Sequence, residues 1–203
     1  QGLGKTKIAI DLALNWLAND VVDTVFIITK KALVQNWVDE ISTHTHISPS
    51  VLSSNRRENS VVLNSPVILY VLNYEVISNN RELIGMFLKT CRVGVILDES
   101  QKIKNPDSKL TKDFHQLSES FERRVIMTGT PVANRPYDIW SQIKFLDGGL
   151  ALGQSFTDFK SKTDIPDKGA STSHYGESLS AIMDDLKPFS VRETKESSGL
   201  ELP

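Results

Sequence analysis

Three short segments of the sequence carry side chains that could bind and hydrolyse a phosphate compound. The first, residues 1–6, reads QGLGKT, and Gly-Lys-Thr before a helical pattern is the second half of a phosphate-binding loop. Its opening glycine would stand five places before Gly4, outside this sequence, so we expect the chain to be part of a longer protein. The backbone N–H groups of Gly2, Leu3, Gly4 and Lys5, with the following helix N-terminus, would bind phosphate oxygens.

The side chains of this segment have separate expected roles. Lys5 would bridge the β- and γ-phosphates, and the Thr6 hydroxyl would bind Mg²⁺, which prefers hard oxygen ligands. Gly-Lys-Thr also occurs by chance, so the tripeptide alone does not establish a nucleotide site.

The second segment is a pair of adjacent carboxylates, Asp98 and Glu99, after the apolar run 92–97. Such a strand delivers them to the carboxyl edge of a parallel sheet, where open α/β sheets bind ligands. Asp98 would hold Mg²⁺ directly or through water, and Glu99 would orient and deprotonate the attacking water. A solvated acidic pair is the alternative, and the phosphate-binding segment favours catalysis over it.

The third segment, residues 128–131, follows the apolar run 124–127 and reads TGTP. Its hydroxyls, from Thr128 and Thr130, could relay between a nucleotide and a neighbouring surface. Gly129 and Pro131 would also suit an ordinary turn at the end of a strand.

The elements that position these segments follow from apolar periodicity. Strands are predicted at 24–29, 60–63, 66–72, 92–97 and 124–127. Helices are predicted within 8–17, 33–41, 83–88, 110–117, 136–146 and 179–186. This alternation predicts an α/β fold with a parallel sheet flanked by helices on both faces. The composition of 147–175, rich in small and polar residues, predicts a protruding or mobile region.

Composition limits the class of protein. The chain has 203 residues, a net charge of −2 and one cysteine, as expected for an ordinary globular domain in a reducing compartment. No apolar stretch approaches the roughly 18 residues that cross a bilayer, so we expect no membrane association and a cytoplasmic or nucleoid location. The net charge provides no general positive field, so nucleic-acid binding would need a local site. Trp37 and Trp140 lie on apolar helical faces and predict core packing.

In order, these segments resemble the first RecA-like lobe of the Snf-type double-stranded DNA translocases of helicase superfamily two, with bacterial and phage members as the nearest kind. Residues 2–6 resemble motif I, 26–41 motif Ia, 98–105 motif II and 128–134 motif III. The specific parts are the I-K-N tail of motif II and the T-G-T-P-x-x-N of motif III. The resemblance covers nearly the whole chain.

The resemblance implies a RecA-like P-loop fold that uses ATP and Mg²⁺ and moves along double-stranded DNA without separating its strands. Residues 1–146 would form the ATP-binding lobe, 147–190 a mobile or helical protrusion returning to it, and 191–203 the start of a linker to a second lobe. Because related enzymes bind ATP between two lobes, we expect this chain alone to hydrolyse little ATP. Motif III, with Thr128, Gly129 and Thr130, would couple ATP hydrolysis to movement along DNA.

The family also implies a set of residues near DNA: Lys30, Lys31, Asn73, Tyr74 and Asn134. Lysine supplies charge, and amide and hydroxyl groups supply directional donors to phosphate oxygens. A solvated helix entry is the alternative for Lys30 and Lys31.

The sequence departs from the family pattern at three positions. Lys30 replaces the usual proline of motif Ia, Ser100 replaces an alanine, and Gln101 replaces the histidine of the D-E-A-H form of motif II. Gln101 could still link the nucleotide to motif III, because an amide both donates and accepts.

Two other functions remain open. A P-loop ATPase acting on proteins or small molecules would keep Lys5, Thr6, Asp98 and Glu99 but would not need the two specific motifs. A catalytically silent lobe could serve as a nucleic-acid or protein-binding module. RNA in place of DNA also remains open, because backbone contacts do not test the 2′-hydroxyl.

Overall fold

A parallel sheet forms the centre of the structure, a computed structural model that describes residues 4–129, 136–163, 180–182 and 184–191. Five strands run in the order β2-β3-β1-β4-β5, and every pairing is parallel. The strands are β1 (Thr24–Thr29), β2 (Ser50–Val51), β3 (Leu69–Asn73), β4 (Val93–Asp98) and β5 (Arg123–Met127). The predicted α/β class with an all-parallel sheet is confirmed.

Helices cover both faces of this sheet. They are α1 (Lys5–Ala18), α2 (Val34–His44), α3 (Arg56–Leu63), α4 (Tyr74–Asn79), α5 (Arg81–Phe87), α6 (Lys109–Leu117), α7 (Trp140–Asp147) and α8 (Phe156–Thr163). Short 3₁₀ turns occupy Lys31–Leu33, Ser100–Ile103, Ser118–Ser120, Pro136–Ile139 and Lys187–Phe189. None of the helices in the described ranges is both long and apolar enough to cross a membrane.

The central strand β1 shows why strands of this sheet appear in the sequence as continuous apolar runs. All six of its residues are buried. Val25 and Ile27 pack with α1 and α2, whereas Phe26 and Ile28 pack in the core that contains α4, α5 and α6. A strand with both faces buried has no polar alternation, as is typical of parallel sheets.

Helix α1 lies close to the sheet because β4 contains a glycine. A Cβ at Gly94 would lie 2.8 Å from the Trp16 ring. The bare backbone therefore admits this indole against β4, and it anchors the helix whose first turn carries Lys5 and Thr6.

The sequence prediction was wrong at one strand and missed three elements. Residues 60–63 belong to α3, whose N-terminus is capped by the side chain of Asn55, which accepts from the N–H groups of Arg57 and Glu58. A run of three apolar residues, 61–63, cannot be distinguished from a helix segment by periodicity alone. The missed elements are the edge strand β2 and the helices α4 and α8.

The interval predicted to protrude contains a packed helix in its described part, 147–163. Phe159 of α8 is buried in a small apolar cluster with Trp140 and Ile143 of α7. Ile182 and Leu186, from the helical residues near the end of the described chain, join the same cluster. Residues 164–179 of the interval lie outside the described ranges, as do 192–203 of the predicted linker.

Candidate active site

The carboxyl ends of four adjacent strands bring the predicted residues to one edge of the sheet. Thr29 at the end of β1 pairs with Asn73 at the end of β3, and Asp98 at the end of β4 pairs with Met127 at the end of β5. Because β1 and β4 are neighbours, Asp98 and Glu99 emerge beside Thr29 and Lys30. The register alone therefore assembles motifs that are about 70 residues apart in the chain.

Three side chains, one each from β1, α2 and α4, hold Asp98. The indole Nε1 of Trp37 donates to Oδ2 of Asp98 at 2.9 Å, and the Thr29 hydroxyl donates to the same oxygen at 3.0 Å. The Tyr74 hydroxyl donates to the backbone carbonyl of Asp98 at 2.7 Å. Within the described ranges no hydrogen bond reaches Oδ1. One carboxylate oxygen of Asp98 is thus held in place by two donors.

Glu99 has an unusual backbone conformation. Its φ of 56° and ψ of 47° lie in the left-handed region, which a residue with a Cβ adopts at a cost and which often marks a functional site. This conformation ends β4 and turns the chain into the 3₁₀ turn Ser100–Ile103. Oε2 of Glu99 accepts from Nζ of Lys30 at 3.2 Å and from the amide of Gln101.

These contacts keep Glu99 ionised. Burial alone would raise the pKa of Glu99, but the hydrogen bonds from Gln101 and Lys30, and the charges of Lys30 and Lys5, outweigh it. The pKa of Glu99 therefore lies below its ordinary value. A carboxylate in this state can accept a proton at neutral pH.

Gln101 connects motif II to motif III through both ends of its amide. Its nitrogen donates to Glu99, and its carbonyl oxygen accepts from the Thr128 hydroxyl at 2.9 Å. The Gln101 amide therefore both donates and accepts a hydrogen bond, with Glu99 and Thr128 as its partners. Gly129 follows as an exposed residue, and Thr130 lies outside the described ranges.

The phosphate-binding segment is described from Gly4 onward, so Gly2 and Leu3 are outside it. Gly4 caps α1 with a φ of 73°, a left-handed conformation that glycine adopts without cost. Lys5 and Thr6 are partly exposed in the first turn of α1, which contains no acidic residue. The positive end of the helix dipole is therefore not offset by its own side chains.

The residues expected near DNA have different surroundings. Lys31 is exposed in the 3₁₀ turn after β1, and Lys30 is exposed but paired with Glu99. The side-chain oxygen of Asn73 caps α4 by accepting from the N–H groups of Glu75 and Val76, and leaves the amide nitrogen outside the cap. Asn134 lies outside the described ranges.

Tyr74 requires a correction. Its side chain is fully buried, packs against Phe114 and bonds to Asp98. It supports the site from beneath and presents no surface to a partner. Burial also raises the pKa of its hydroxyl well above the ordinary value, with the charges of Asp98, Glu99 and Glu75 adding to the effect. The hydroxyl therefore stays protonated and remains a donor.

Sequence reasoning missed several positioning side chains. Ser100, which replaces an alanine, is buried and donates to Oε1 of Gln142 on α7 at 2.7 Å. Lys104 of the I-K-N tail pairs with Asp138 at 3.1 Å. From the sequence, Thr29 is predicted only as a strand residue and Trp37 only as a core residue. The signal that could have identified Trp37 is its N–H group, which needs a partner when an indole is buried.

We predict that Trp37→Phe lowers the free energy of unfolding by about 1–3 kcal/mol, because the Asp98 carboxylate loses one of its two donors. Chemical denaturation followed by circular dichroism measures the change. Trp140→Phe is the matched control: its indole Nε1 donates to the neutral carbonyl of Gly153 at 3.0 Å, so we expect a loss of only about 0.5–1.5 kcal/mol. Equal losses in the two variants would contradict a special role for the bond to Asp98.

Comparison with protein families identifies one domain over the whole chain. The model of the SNF2-related domain matches residues 1–203. An "Uncharacterized ATP-dependent helicase" of Mycoplasma pneumoniae is 31% identical over 210 residues, which cover 100% of this chain and 18% of the relative. The "DNA excision repair protein ERCC-6-like" of Danio rerio is 29% identical over 212 residues, which cover 96% of this chain and 14% of the relative. The chain thus spans less than a fifth of either relative.

Solved structures with the same fold come from Sulfolobus solfataricus. Its "SWI2/SNF2 ATPase core in complex with dsDNA" superposes with a TM-score of 0.75 at 26% identity, over 98% of this chain and 40% of the other. Its "SWI2/SNF2 ATPase core domain" gives a TM-score of 0.71 at 29% identity, over 96% of this chain and 38% of the other.

Proposed function

Because this chain belongs to the SNF2-related domain family, we propose that it is the ATP-binding first motor lobe of a double-stranded DNA translocase. The observation that carries the proposal is the hydrogen-bonded series from Lys30 through Glu99 and Gln101 to Thr128, beside the fixed carboxylate of Asp98. It joins one of the residues expected to contact DNA, Lys30, with the expected base and motif III in one connected group. A second lobe of the full-length protein would complete the ATP site.

ATP phosphates would bind at the start of α1. The N–H groups of the loop, with Gly2 and Leu3, and the first turn of α1 would bind the phosphate oxygens, and Lys5 would neutralise the β- and γ-phosphates. Lys5 is close enough to Glu99 for its charge to lower the pKa of that carboxyl. In this arrangement the γ-phosphate would lie near both side chains.

The donor set suits Mg²⁺. Thr6 supplies a hydroxyl, and Asp98 supplies Oδ1, while Oδ2 is held by Thr29 and Trp37. Bound Mg²⁺ would neutralise charge on the phosphates, with water and phosphate oxygens as its other ligands. Thr29 and Trp37 contribute by preventing the Asp98 carboxylate from rotating.

Hydrolysis would use Glu99 as the base. Its ionised carboxylate orients a water molecule and accepts its proton as the water oxygen bonds to the γ-phosphorus. The bond from that phosphorus to the β–γ bridging oxygen breaks, and ADP and phosphate leave. A movement of Glu99 on loss of the γ-phosphate would be transmitted to Thr128 through Gln101, because Gln101 is hydrogen-bonded to both residues.

DNA would contact the loops at the carboxyl ends of β1 and β3. Lys30 and Lys31 supply charge, and the amide nitrogen of Asn73 supplies a directional donor; Asn134 remains proposed from its motif. The proposal omits Tyr74 because its side chain is buried. The Sulfolobus ATPase core that shares this fold was solved with double-stranded DNA, which supports a duplex as the partner.

The test is the ATPase rate of the full-length protein with duplex DNA, single-stranded DNA or RNA at matched salt. We expect stimulation by duplex DNA above that by the other two, with an affinity for DNA that falls as salt rises. Hydrolysis without response to any nucleic acid would favour a P-loop ATPase with another substrate. A folded protein that binds DNA and hydrolyses no ATP would favour the silent binding module.

A further inference from the structure

The ion pair between Lys30 and Glu99 joins two neighbouring strand ends. Lys30 follows the last residue of β1 and Glu99 follows the last residue of β4, and these strands are adjacent in the sheet. Nζ of Lys30 lies 3.2 Å from Oε2 of Glu99. The Lys30 side chain is 46% exposed and that of Glu99 24% exposed, so the lysine is the more solvent-accessible partner of the pair.

We propose that Lys30 is shared between Glu99 and a phosphate of duplex DNA, so that the carboxylate and the DNA compete for one ammonium group. The inference rests on the proposed function and adds a regulatory role for a residue that departs from the family pattern. In the absence of DNA, Lys30 restrains Glu99. When a DNA phosphate attracts Lys30, Oε2 of Glu99 keeps the hydrogen bond from Gln101 but loses the one from Lys30, and the carboxylate becomes more available to the attacking water.

Glu99 and a DNA phosphate compete for Lys30 whether the lysine contacts one of them at a time or both at once. Lysine is a compact charge on a flexible four-carbon stem, so it can swing from Glu99 to a phosphate. If instead it contacts both at once, the phosphate lies beside the Glu99 carboxylate and the two negative charges repel each other. In either case the charge on Glu99 weakens the hold of Lys30 on DNA.

The coupling acts equally in the other direction. Any free energy by which Glu99 weakens DNA binding through Lys30 is the free energy by which DNA weakens the pair. When DNA attracts Lys30, the Glu99 carboxylate is therefore freer to move.

A nearby ion pair provides the control. Glu75, on α4, pairs with Lys102 at 3.1 Å, and both side chains are about half exposed. The pKa of Glu75 lies below its ordinary value: burial would raise it, and a backbone hydrogen bond, Lys102 and Lys31 lower it. Neutralising Glu75 removes a negative charge from the same edge of the sheet without releasing Lys30.

The experiment measures binding, so it does not depend on turnover. Nucleotide-free full-length protein is titrated into a fluorescein-labelled duplex of mixed sequence, and anisotropy gives the Kd at low salt. The variants are Glu99→Gln, Lys30→Met and their combination, with Glu75→Gln and its combination with Lys30→Met as controls. Circular dichroism establishes that each variant is folded.

We expect Glu99→Gln to tighten duplex binding about two- to fivefold, the range of a partly exposed ion pair. This gain should vanish in the Lys30→Met background, because no lysine remains to be released. Any gain from Glu75→Gln should persist in that background. Glu99→Gln combined with Lys30→Arg should retain the gain, because arginine restores the cation.

Two results would overturn the inference and leave the proposed function standing. One is duplex binding by Glu99→Gln that equals wild type. The other is a gain that persists when Lys30 is replaced by Met. Failure of the wild-type protein to bind duplex DNA at any salt would instead overturn the proposed function, and this inference with it.

Discussion

Glu99→Gln should lower kcat for DNA-stimulated ATP hydrolysis by about 10²–10⁴-fold while ATP still binds. Glutamine has the same shape and can still contact Gln101, but it cannot accept a proton from water. The pKa of Glu99 lies below its ordinary value, so the wild-type residue is already ionised and poised as a base at neutral pH. Phosphate release by the full-length protein measures the rate, and a fluorescent ATP analogue measures binding.

Glu75→Gln is the matched control for this loss. It also replaces one acid at the same edge of the sheet, in this case an exposed one, and its partner Lys102 lies outside the proposed ATP site. The comparison separates the loss of a base from a general change of charge. A Glu99→Gln enzyme that hydrolyses ATP at the wild-type rate would remove Glu99 from the chemistry.

Lys5→Ala should weaken ATP binding by about one to two orders of magnitude, as expected when a charged hydrogen bond to phosphate is lost. The other basic residue in the first turn of α1 is Lys7, which pairs with Asp11 on the exposed face of the helix and is not part of the proposed phosphate site. Equilibrium titration with the fluorescent ATP analogue measures the affinity, and AMP should bind equally weakly to both proteins because it lacks the β- and γ-phosphates.

Lys7→Ala provides the control on the same helix. It removes an equal charge two residues along α1, so a general electrostatic effect of the lysine would appear in both variants. We expect the affinity for ATP to change little in this variant, because Lys7 pairs with Asp11 and not with the phosphates. Loss of this exposed ion pair should also change the stability of the fold little. Equal weakening by the two substitutions would place the phosphates elsewhere.

Much of the fold follows from local patterns. The continuous apolar runs that became β1 and β4 are long enough, and rich enough in β-branched residues, to indicate buried parallel strands. The amphipathic spacing that became α1, α2 and α6 is equally direct. The strand predicted at 60–63 was wrong because its three apolar residues fit a strand or a helix, and the cap from Asn55 favours α3. Helix α4 was missed because it has six residues and little periodicity.

Part of the candidate site could likewise be predicted from the sequence, and part depends on tertiary packing. Lys5, Thr6, Asp98 and Glu99 were identified from residue type and spacing, since phosphate and Mg²⁺ chemistry needs those groups beside a strand end. The bond from Trp37 to Asp98 and the burial of Tyr74 could not be read from spacing. Both depend on how α2 and α4 pack around the end of β4.

By itself the sequence determined the α/β class, the order of the motifs and the chemical groups available for a phosphate reaction, because these are properties of short segments. Only the tertiary structure decided which groups meet. The parallel register places Lys30 beside Glu99, across 69 positions of chain, and converts a residue expected to contact DNA into a partner of the proposed base. Such a contact depends on the order of the strands, and strand order is set by packing of the whole sheet rather than by any local pattern.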